Sequence, residues 1–301
     1  MNTNFTGVGT ALVTPFTASG AVDERAVRRL GRRQMDAGIH FLVPCGTTGE
    51  NPTLSDEERV RIVEILVDEA KGRVPVLAGA GGYDTREVIH LASLMKKAGA
   101  EGLLSVTPYY NKPTQEGLYL HYRAIAESTD LPIIVYNVPG RAGVNVEPAT
   151  LARLSAIPNI IGVKEASGSI SQMIDVCKLL SADFIILSGD DALTLPLMAI
   201  GGRGVISVAS NEIPADMVEM VTAAARGDFA AARSVHNRIL PLMQINFVEA
   251  NPVPIKSAMA MMGLLEERYR LPMCPPAAAS KDKILRVLKE LQLLSNPAYA
   301  E

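Results

Sequence analysis

The chain has 301 residues, 48% of them hydrophobic and 20% charged, with no tryptophan and a formal net charge of −3. That balance fits a soluble globular enzyme long enough to bury a large core, and the lack of basic blocks argues against nucleic acid or a membrane surface as partner. Cys45, Cys177 and Cys274 stand far apart, and His40, His90, His121 and His236 form no HxH or HExxH group. A reducing cytoplasm is therefore expected, with no disulfide framework and no protein-bound metal.

The first residues, MNTNFTGVGTALVTPF, lack a basic segment followed by an apolar one, so no secretory leader is expected. No apolar run reaches the length of a bilayer span. From residue 9 onward, β-rich apolar runs alternate with amphipathic stretches. The strand candidates are GTALVTPF (9–16), HFLVPCG (40–46), VPVLAGAG (74–81), GLLSVTP (102–108), LPIIVYNVP (131–139), IIGVKEA (160–166), FIILSG (184–189) and GVISVAS (204–210). Helical stretches follow them. SDEERVRIVEILVDEAKG (55–72) opens on the capping box Ser55-x-x-Glu58 and stops at Gly72. DTREVIHLASLMKKAG (84–99) carries Asp84-x-x-Glu87 and an apolar stripe at Val88, Leu91, Ala92 and Met95; SISQMIDVCKLL opens on Ser169-x-x-Gln172. No strand leads into GxGxxG or a Walker loop, so no nucleotide cofactor is indicated.

Eight strand–helix units predict a (β/α)8 TIM barrel, with strands buried on both faces. A doubly wound open sheet is the structural rival, but its phosphate-binding switch-point loop is missing. The barrel is expected over residues 1–227. Residues 228–301, helical in pattern and broken by ANPVPI and LPMCPPAA, form a C-terminal helical appendix packed on the barrel rather than a second domain.

Active sites of such barrels lie at the C-terminal ends of the strands. There stand GTTGE (Gly46 to Glu50), Tyr109 and Tyr110, Tyr136 and Arg141, Lys164, Asp190 and Asp191, and GVIS. Lys164 interrupts a strand-like apolar run. If its side chain points inward, Gly162 and Ala166 do too, leaving it room, while Ile161 and Val163 pack outward. A dry barrel mouth disfavours the ammonium form, and a free amine can attack a ketone to form a Schiff base. The bland alternative is a strand-end lysine that snorkels to water. Lys256 is the one rival lysine, and its place at a helix start points to packing or surface instead.

GTTGE has the composition of a carboxylate cradle: glycines let backbone N–H groups converge, and Thr47 and Thr48 add hydroxyls. Taken alone it reads equally well as an ordinary turn before a helix. Tyr136, on the strand beside Lys164, can transfer protons, although a strand-end tyrosine is more often packing. Arg141 can clamp a substrate carboxylate, although loop arginines are usually surface pairs. Asp190 and Asp191, without histidine support, suggest capping or hydrogen bonding. Cys45 reads as a small buried hydrophobe.

In order and at familiar spacing, GTALVTPF, GTTGE, TPYYNKPTQEGLYLHY, YNVPGR, GVKEASG, LSGDD and GVISV resemble the class I pyruvate-dependent aldolase and synthase family that includes dihydrodipicolinate synthase and N-acetylneuraminate lyase. The likeness runs through nearly the whole barrel and into the appendix. It implies that Lys164 forms a Schiff base with pyruvate and that Tyr136 relays protons with Thr47 and Tyr110, the last reaching into a neighbouring subunit's site. Thr48 and Ile206, with Gly46 of the cradle, would hold pyruvate. Arg141 would bind the carboxylate of L-aspartate 4-semialdehyde, giving 4-hydroxy-tetrahydrodipicolinate for lysine and diaminopimelate biosynthesis. No cofactor is implied, and a homotetramer or homodimer is.

Arg141 favours this synthase activity over a sibling aldolase for sialic acid or a 2-keto-3-deoxy sugar acid. The complete set of Lys164, Tyr136, Thr47 and Tyr110 argues against a catalytically silent keto-acid sensor. The sequence departs from lysine-inhibited relatives in having Asn51-Pro52 after GTTGE, and Tyr83, Asp56 and Arg59 at feedback-site positions, while Glu87 and Tyr109 are retained. Weak or absent inhibition by lysine is therefore expected.

Overall fold

The β-rich runs form eight parallel strands: β1 (Gly7–Ala11), β2 (Phe41–Val43), β3 (Leu77–Gly79), β4 (Gly102–Val106), β5 (Ile133–Asn137), β6 (Ile160–Glu165), β7 (Ile185–Ser188) and β8 (Gly204–Ser207). The structure is a computed structural model describing residues 5–294; the outermost residues of the two expected units, 1–4 and 295–301, lie outside the described residues. The strands are shorter than the apolar runs because each run continues into the loop that turns toward the next helix. They hydrogen-bond in the order β2-β1-β8-β7-β6-β5-β4-β3, and a bridge between Leu42 and Val76 closes the ring.

Alternation along each strand makes two apolar layers. Phe41, Val43, Leu77, Leu104, Ile134, Tyr136, Ile185, Leu187 and Ile206 fill the barrel interior. Their neighbours Leu42, Ala78, Leu103, Ile133, Val135, Val163, Ile186 and Val205 face the helices. Each such side chain, taken wholly out of water, contributes about 1.5–3 kcal/mol. One expectation about facing fails. Val163 packs outward as expected, but Ile161 packs against the interior layer. The ladder slips there, from Ile133 opposite Ile160 to Ile134 opposite Gly162, so an extra residue resets the alternation before Lys164.

The strands are not laced equally. The shortest ladders are Ser188 opposite Val205 between β7 and β8 and the Leu42–Val76 bridge between β2 and β3, and backbone hydrogen bonds from the Arg203 N–H to the Ile186 carbonyl and from the Gly79 N–H to the Pro44 carbonyl extend the two seams. By contrast β5 and β6 are paired from Ile133 to Asn137, and β1 and β8 from Gly7 to Thr10.

The helices are α1 (Glu24–Asp36), α2 (Asp56–Ala70), α3 (Thr85–Lys97), α4 (Gln115–Glu127), α5 (Pro139–Ala142), α6 (Pro148–Leu154), α7 (Ile170–Leu179), α8 (Thr194–Ala199), α9 (Pro214–Ala225), α10 (Phe229–Ile245), α11 (Val253–Met261) and α12 (Ala278–Glu290). Helix α2 starts at the expected capping box, with both of its hydrogen bonds formed, and the chain leaves it through Lys71 and Gly72 at positive φ. Asp84 caps α3 through the Arg86 N–H. Ser169 caps α7, but the Gln172 side chain turns to Asn145 and Glu165 instead of completing a box. Val235, Ile239 and Leu242 of α10 and Ile284 and Leu288 of α12 join the same apolar cluster as the barrel's outer face. The fold is a TIM barrel with additional C-terminal helices.

Candidate active site

At the C-terminal rim a cavity of about 200 Å³ is lined by Gly46, Thr47, Tyr109, Tyr136 and Arg141, with Asn51, Pro52 and the Gly79–Gly81 turn completing its walls. The sequence-derived residues Gly46, Thr47, Tyr136 and Arg141 therefore meet around one space. Lys164 is not one of the lining residues but neighbours Tyr136, which is. The β5–β6 ladder sets Lys164 opposite Tyr136, and the Lys164 Nζ sits 4.2 Å from the centre of the Tyr136 ring. With only 5% of its surface exposed, Lys164 does not snorkel to water. Gly189, after β7, makes its room, since a Cβ there would stand 3.1 Å from the Lys164 Cε and 2.5 Å from the Ala166 Cβ. Ile206 belongs to the same interior layer as Tyr136.

The loop after β2 is wound tightly on itself. The N–H groups of Gly49, Glu50 and Asn51 turn back to the carbonyls of Gly46 and Thr47. The N–H groups of Gly46, Thr47 and Thr48 bond to no acceptor among the described residues, so a cradle of free donors remains at the start of the loop. Cys45 and Glu50 frame the loop at φ 57° and 54°, left-handed values that non-glycine residues seldom take. Gly79 permits this, because a Cβ there would meet the Cys45 carbonyl oxygen at 2.0 Å. Burial pushes the Cys45 thiol up to about 12, so it stays an uncharged packing group.

Glu50 turns into the protein. Its carboxylate accepts from Lys256 Nζ at 2.5 Å and from the Arg270 N–H, while Lys256 also donates to the Thr14 carbonyl. Lys256 is thus wholly buried in an ion pair and has no surface role. Burial lowers its pKa, and the Glu50 carboxylate opposes that shift. Asp191 accepts from the N–H groups of Val208 and Ala209, and Asp190 from that of Ala192, the hydrogen-bonding role expected of the pair.

Arg141, on α5, donates to the backbone carbonyl of Asn251 at 3.2 Å. Among the described residues it has no carboxylate partner, which leaves its guanidinium available to one. Thr48 is buried, and its Oγ1 accepts from the Asn251 Nδ2 at 3.0 Å. In the sequence Asn251 is only part of the Pro-rich break ANPVPI; a polar amide directly before a proline at a helix start is the signal it offers. Tyr110 is not brought to this cavity. It is 93% exposed, with φ 68°.

At the outer end of the cavity Arg59 bridges Asp56 and the Asn51 carbonyl, at 2.7 and 2.8 Å. Tyr109 meets the Tyr83 ring edge-on at 5.3 Å, and burial raises its phenol above the ordinary range.

The dihydrodipicolinate synthetase family model matches residues 4–291. The 4-hydroxy-tetrahydrodipicolinate synthase of Koribacter versatilis is 52% identical over 296 residues, covering 98% of this chain and 99% of its own. Among solved structures, dihydrodipicolinate synthase from Aquifex aeolicus superposes with a TM-score of 0.95 at 43% identity, over 97% of this chain and all of its own. The chloride-inhibited dihydrodipicolinate synthase from Acinetobacter baumannii, complexed with pyruvate, gives 0.95 at 40% identity, over 97% of this chain and all of its own.

Proposed function

The chain belongs to the dihydrodipicolinate synthetase family, and we propose on that footing that it is a lyase condensing pyruvate with L-aspartate 4-semialdehyde to 4-hydroxy-tetrahydrodipicolinate, in lysine and diaminopimelate biosynthesis. The observation that carries this reading is the buried Lys164 amine packed on the Tyr136 ring, itself a wall of the cavity that Thr47 and Arg141 also line. The Lys164 amine attacks the C2 carbonyl of pyruvate, and loss of water leaves the Schiff base. The imine draws electrons from C3, which loses a proton, and the resulting enamine adds to the aldehyde carbon of the semialdehyde. Ring closure by the semialdehyde's amine at C2 then displaces Lys164 and releases the product.

Tyr136 is the group placed to carry protons to and from the Lys164 adduct, with Thr47 beside it. Thr48, Gly46 and Ile206 hold the pyruvate, with the free N–H groups of residues 46–48 donating to its carboxylate. Arg141 takes the carboxylate of the semialdehyde, its guanidinium unclaimed by any carboxylate of the described chain. Tyr110 serves the site of a second copy in a homodimer or homotetramer; its exposure and left-handed backbone hold it out from its own barrel. The chemistry needs no cofactor, and no helix among the described residues is long and apolar enough to cross a membrane. We place the enzyme in the cytoplasm, with the barrel over residues 1–227 and the appendix over 228–301.

The test is condensation of pyruvate with the semialdehyde, followed through a coupled reductase that consumes reduced nicotinamide nucleotide. A parallel reaction offers N-acetylmannosamine or glyceraldehyde. Turnover with the semialdehyde alone supports the proposal. Turnover only with a sugar aldehyde moves the chain to the sibling aldolases.

A further inference from the structure

We infer that Asn251, in the appendix, is a positioning residue of the reaction: its side chain aims the Thr48 hydroxyl at the pyruvate carboxylate while its backbone carbonyl anchors Arg141. The inference rests on the roles proposed above for Thr48 and Arg141. Asn251 is 5% exposed and lies between α10 and α11, far along the chain from both partners. Its Nδ2 reaches the Thr48 Oγ1 at 3.0 Å, and its carbonyl oxygen receives the Arg141 Nη2 at 3.2 Å. One residue therefore touches the group that holds the first substrate and the group that holds the second.

The chemistry follows from the inventory of a hydroxyl, which has one proton and two lone pairs. With the amide N–H on one lone pair, the Thr48 proton is directed elsewhere. Among the described residues the Thr48 Oγ1 donates to no protein atom. A substrate carboxylate, already facing the free N–H groups of residues 46–48, is the acceptor that completes the arrangement. The segment that carries Asn251 is anchored, while the Asn251 Oδ1 is buried with no hydrogen-bond partner among the described residues. Five residues further on, Lys256 pins α11 to Glu50 at the end of the same loop and to Thr14. The amide is thus preorganised by the appendix rather than recruited by substrate.

The side chain and the carbonyl separate in an experiment. Asn251→Ala removes the amide and keeps the carbonyl. Asn251→Asp keeps the shape but puts an acceptor where the donor was, so the Thr48 proton is captured by the carboxylate. The measurement is the pyruvate concentration that half-saturates borohydride trapping on Lys164, read by intact mass without the second substrate. The KM for the semialdehyde is read separately. We expect Asn251→Ala to raise the pyruvate requirement about five- to tenfold, and Asn251→Asp to raise it further, while the semialdehyde KM stays near that of the parent. In a Thr48→Val background Asn251→Ala adds nothing more, because the hydroxyl it aims is gone.

Trapping by either variant at the parent's pyruvate concentration overturns the inference. So does an equal shift with and without the Thr48 hydroxyl, which marks Asn251 as a general packing residue. An Asn251→Asp protein that binds pyruvate normally shows Thr48 donating to Asn251, the reverse of the arrangement inferred. If Asn251→Asp does not fold, Asn251→Ala and its Thr48→Val counterpart decide the question alone. Absence of any adduct in the parent protein instead removes the proposed function, and this inference with it.

Discussion

Lys164 and Tyr136 face each other across the β5–β6 ladder, and the lysine nitrogen lies 4.2 Å from the centre of the phenol ring. The ring packs against the amine, and the proton transfer proposed for Tyr136 belongs to its hydroxyl, so the two contributions are separable. Lys164→Ala should lower turnover by about three orders of magnitude or more, with no mass adduct after pyruvate and borohydride. Tyr136→Phe keeps the ring and should still trap pyruvate, while kcat falls by about 10²–10⁴-fold. A Tyr136→Phe enzyme with unchanged kcat would assign the proton transfers to another group.

Arg141 has its second-substrate role tested in the same format. Because its guanidinium rests on a backbone carbonyl and not on a carboxylate, Arg141→Ala should leave pyruvate trapping intact. The semialdehyde KM should rise about tenfold or more, and Arg141→Lys should recover only part, since an ammonium lacks the planar fork. Unaltered kinetics for both substrates would remove Arg141 from the site.

Free lysine should inhibit weakly or not at all. Arg59 spans Asp56 and the Asn51 carbonyl beside Tyr109, so an incoming ammonium meets a fixed positive charge whose acidic partner is already engaged. Initial rates measured across a lysine titration check this. Half-inhibition in the sub-millimolar range would contradict it.

The Glu50–Lys256 pair carries a stability prediction. Both side chains are at most 1% exposed, so removing one strands the other's charge in the interior. Lys256→Met should cost about 3–5 kcal/mol in a denaturant titration, and the pair replacement Lys256→Met with Glu50→Gln should recover much of it. A loss no larger for the single variant than for the pair would mean the charge is relieved by water.

Glu212 and His121 are two buried groups that shape the pH response, and the raised Asp191 and lowered His40 act in the same two directions. Burial raises Glu212 to about 8 and lowers His121 to about 4. Glu212 therefore stays protonated in the folded chain where the unfolded chain has released its proton, and stability falls as pH rises from about 4.5 to about 8. His121 stays neutral where the unfolded chain is charged, and stability falls as pH drops from about 6.5 to about 4. The two slopes oppose each other between about 4.5 and 6.5, so thermal stability should be greatest and flattest there. Glu212→Gln should reduce the decline on the alkaline side; an unchanged midpoint–pH curve would show that Glu212 is not a source of it.

The barrel was legible because parallel strands buried on both faces need continuous apolar runs, and all eight runs became strands. The facing of Lys164 was also legible, as was the outward facing of Val163. Ile161 was not, because a slipped ladder leaves no mark in an apolar run. Gly46, Thr47, Tyr136 and Arg141 were found from strand ends, a rule about local geometry. Asn251 and the Lys256–Glu50 pair escaped because their partners lie some two hundred residues away, a closure that periodicity and spacing do not encode.

The short ladders of β7 with β8 and of β2 with β3 mark off two arcs in a barrel wall that backbone hydrogen bonds keep continuous. One, β8-β1-β2, bears Ile206 and the loop of Gly46, Thr47 and Thr48; the other, β3 through β7, bears Tyr136 and Lys164. The groups proposed to hold the keto acid's carboxylate and the amine proposed to attack its carbonyl thus stand on different arcs. Asn251 reaches across, with Thr48 on one arc and Arg141, just beyond β5, on the other. The C-terminal segment is thus a clasp: through one residue it ties, across the mouth, two stretches of wall that the sheet joins only around its circumference.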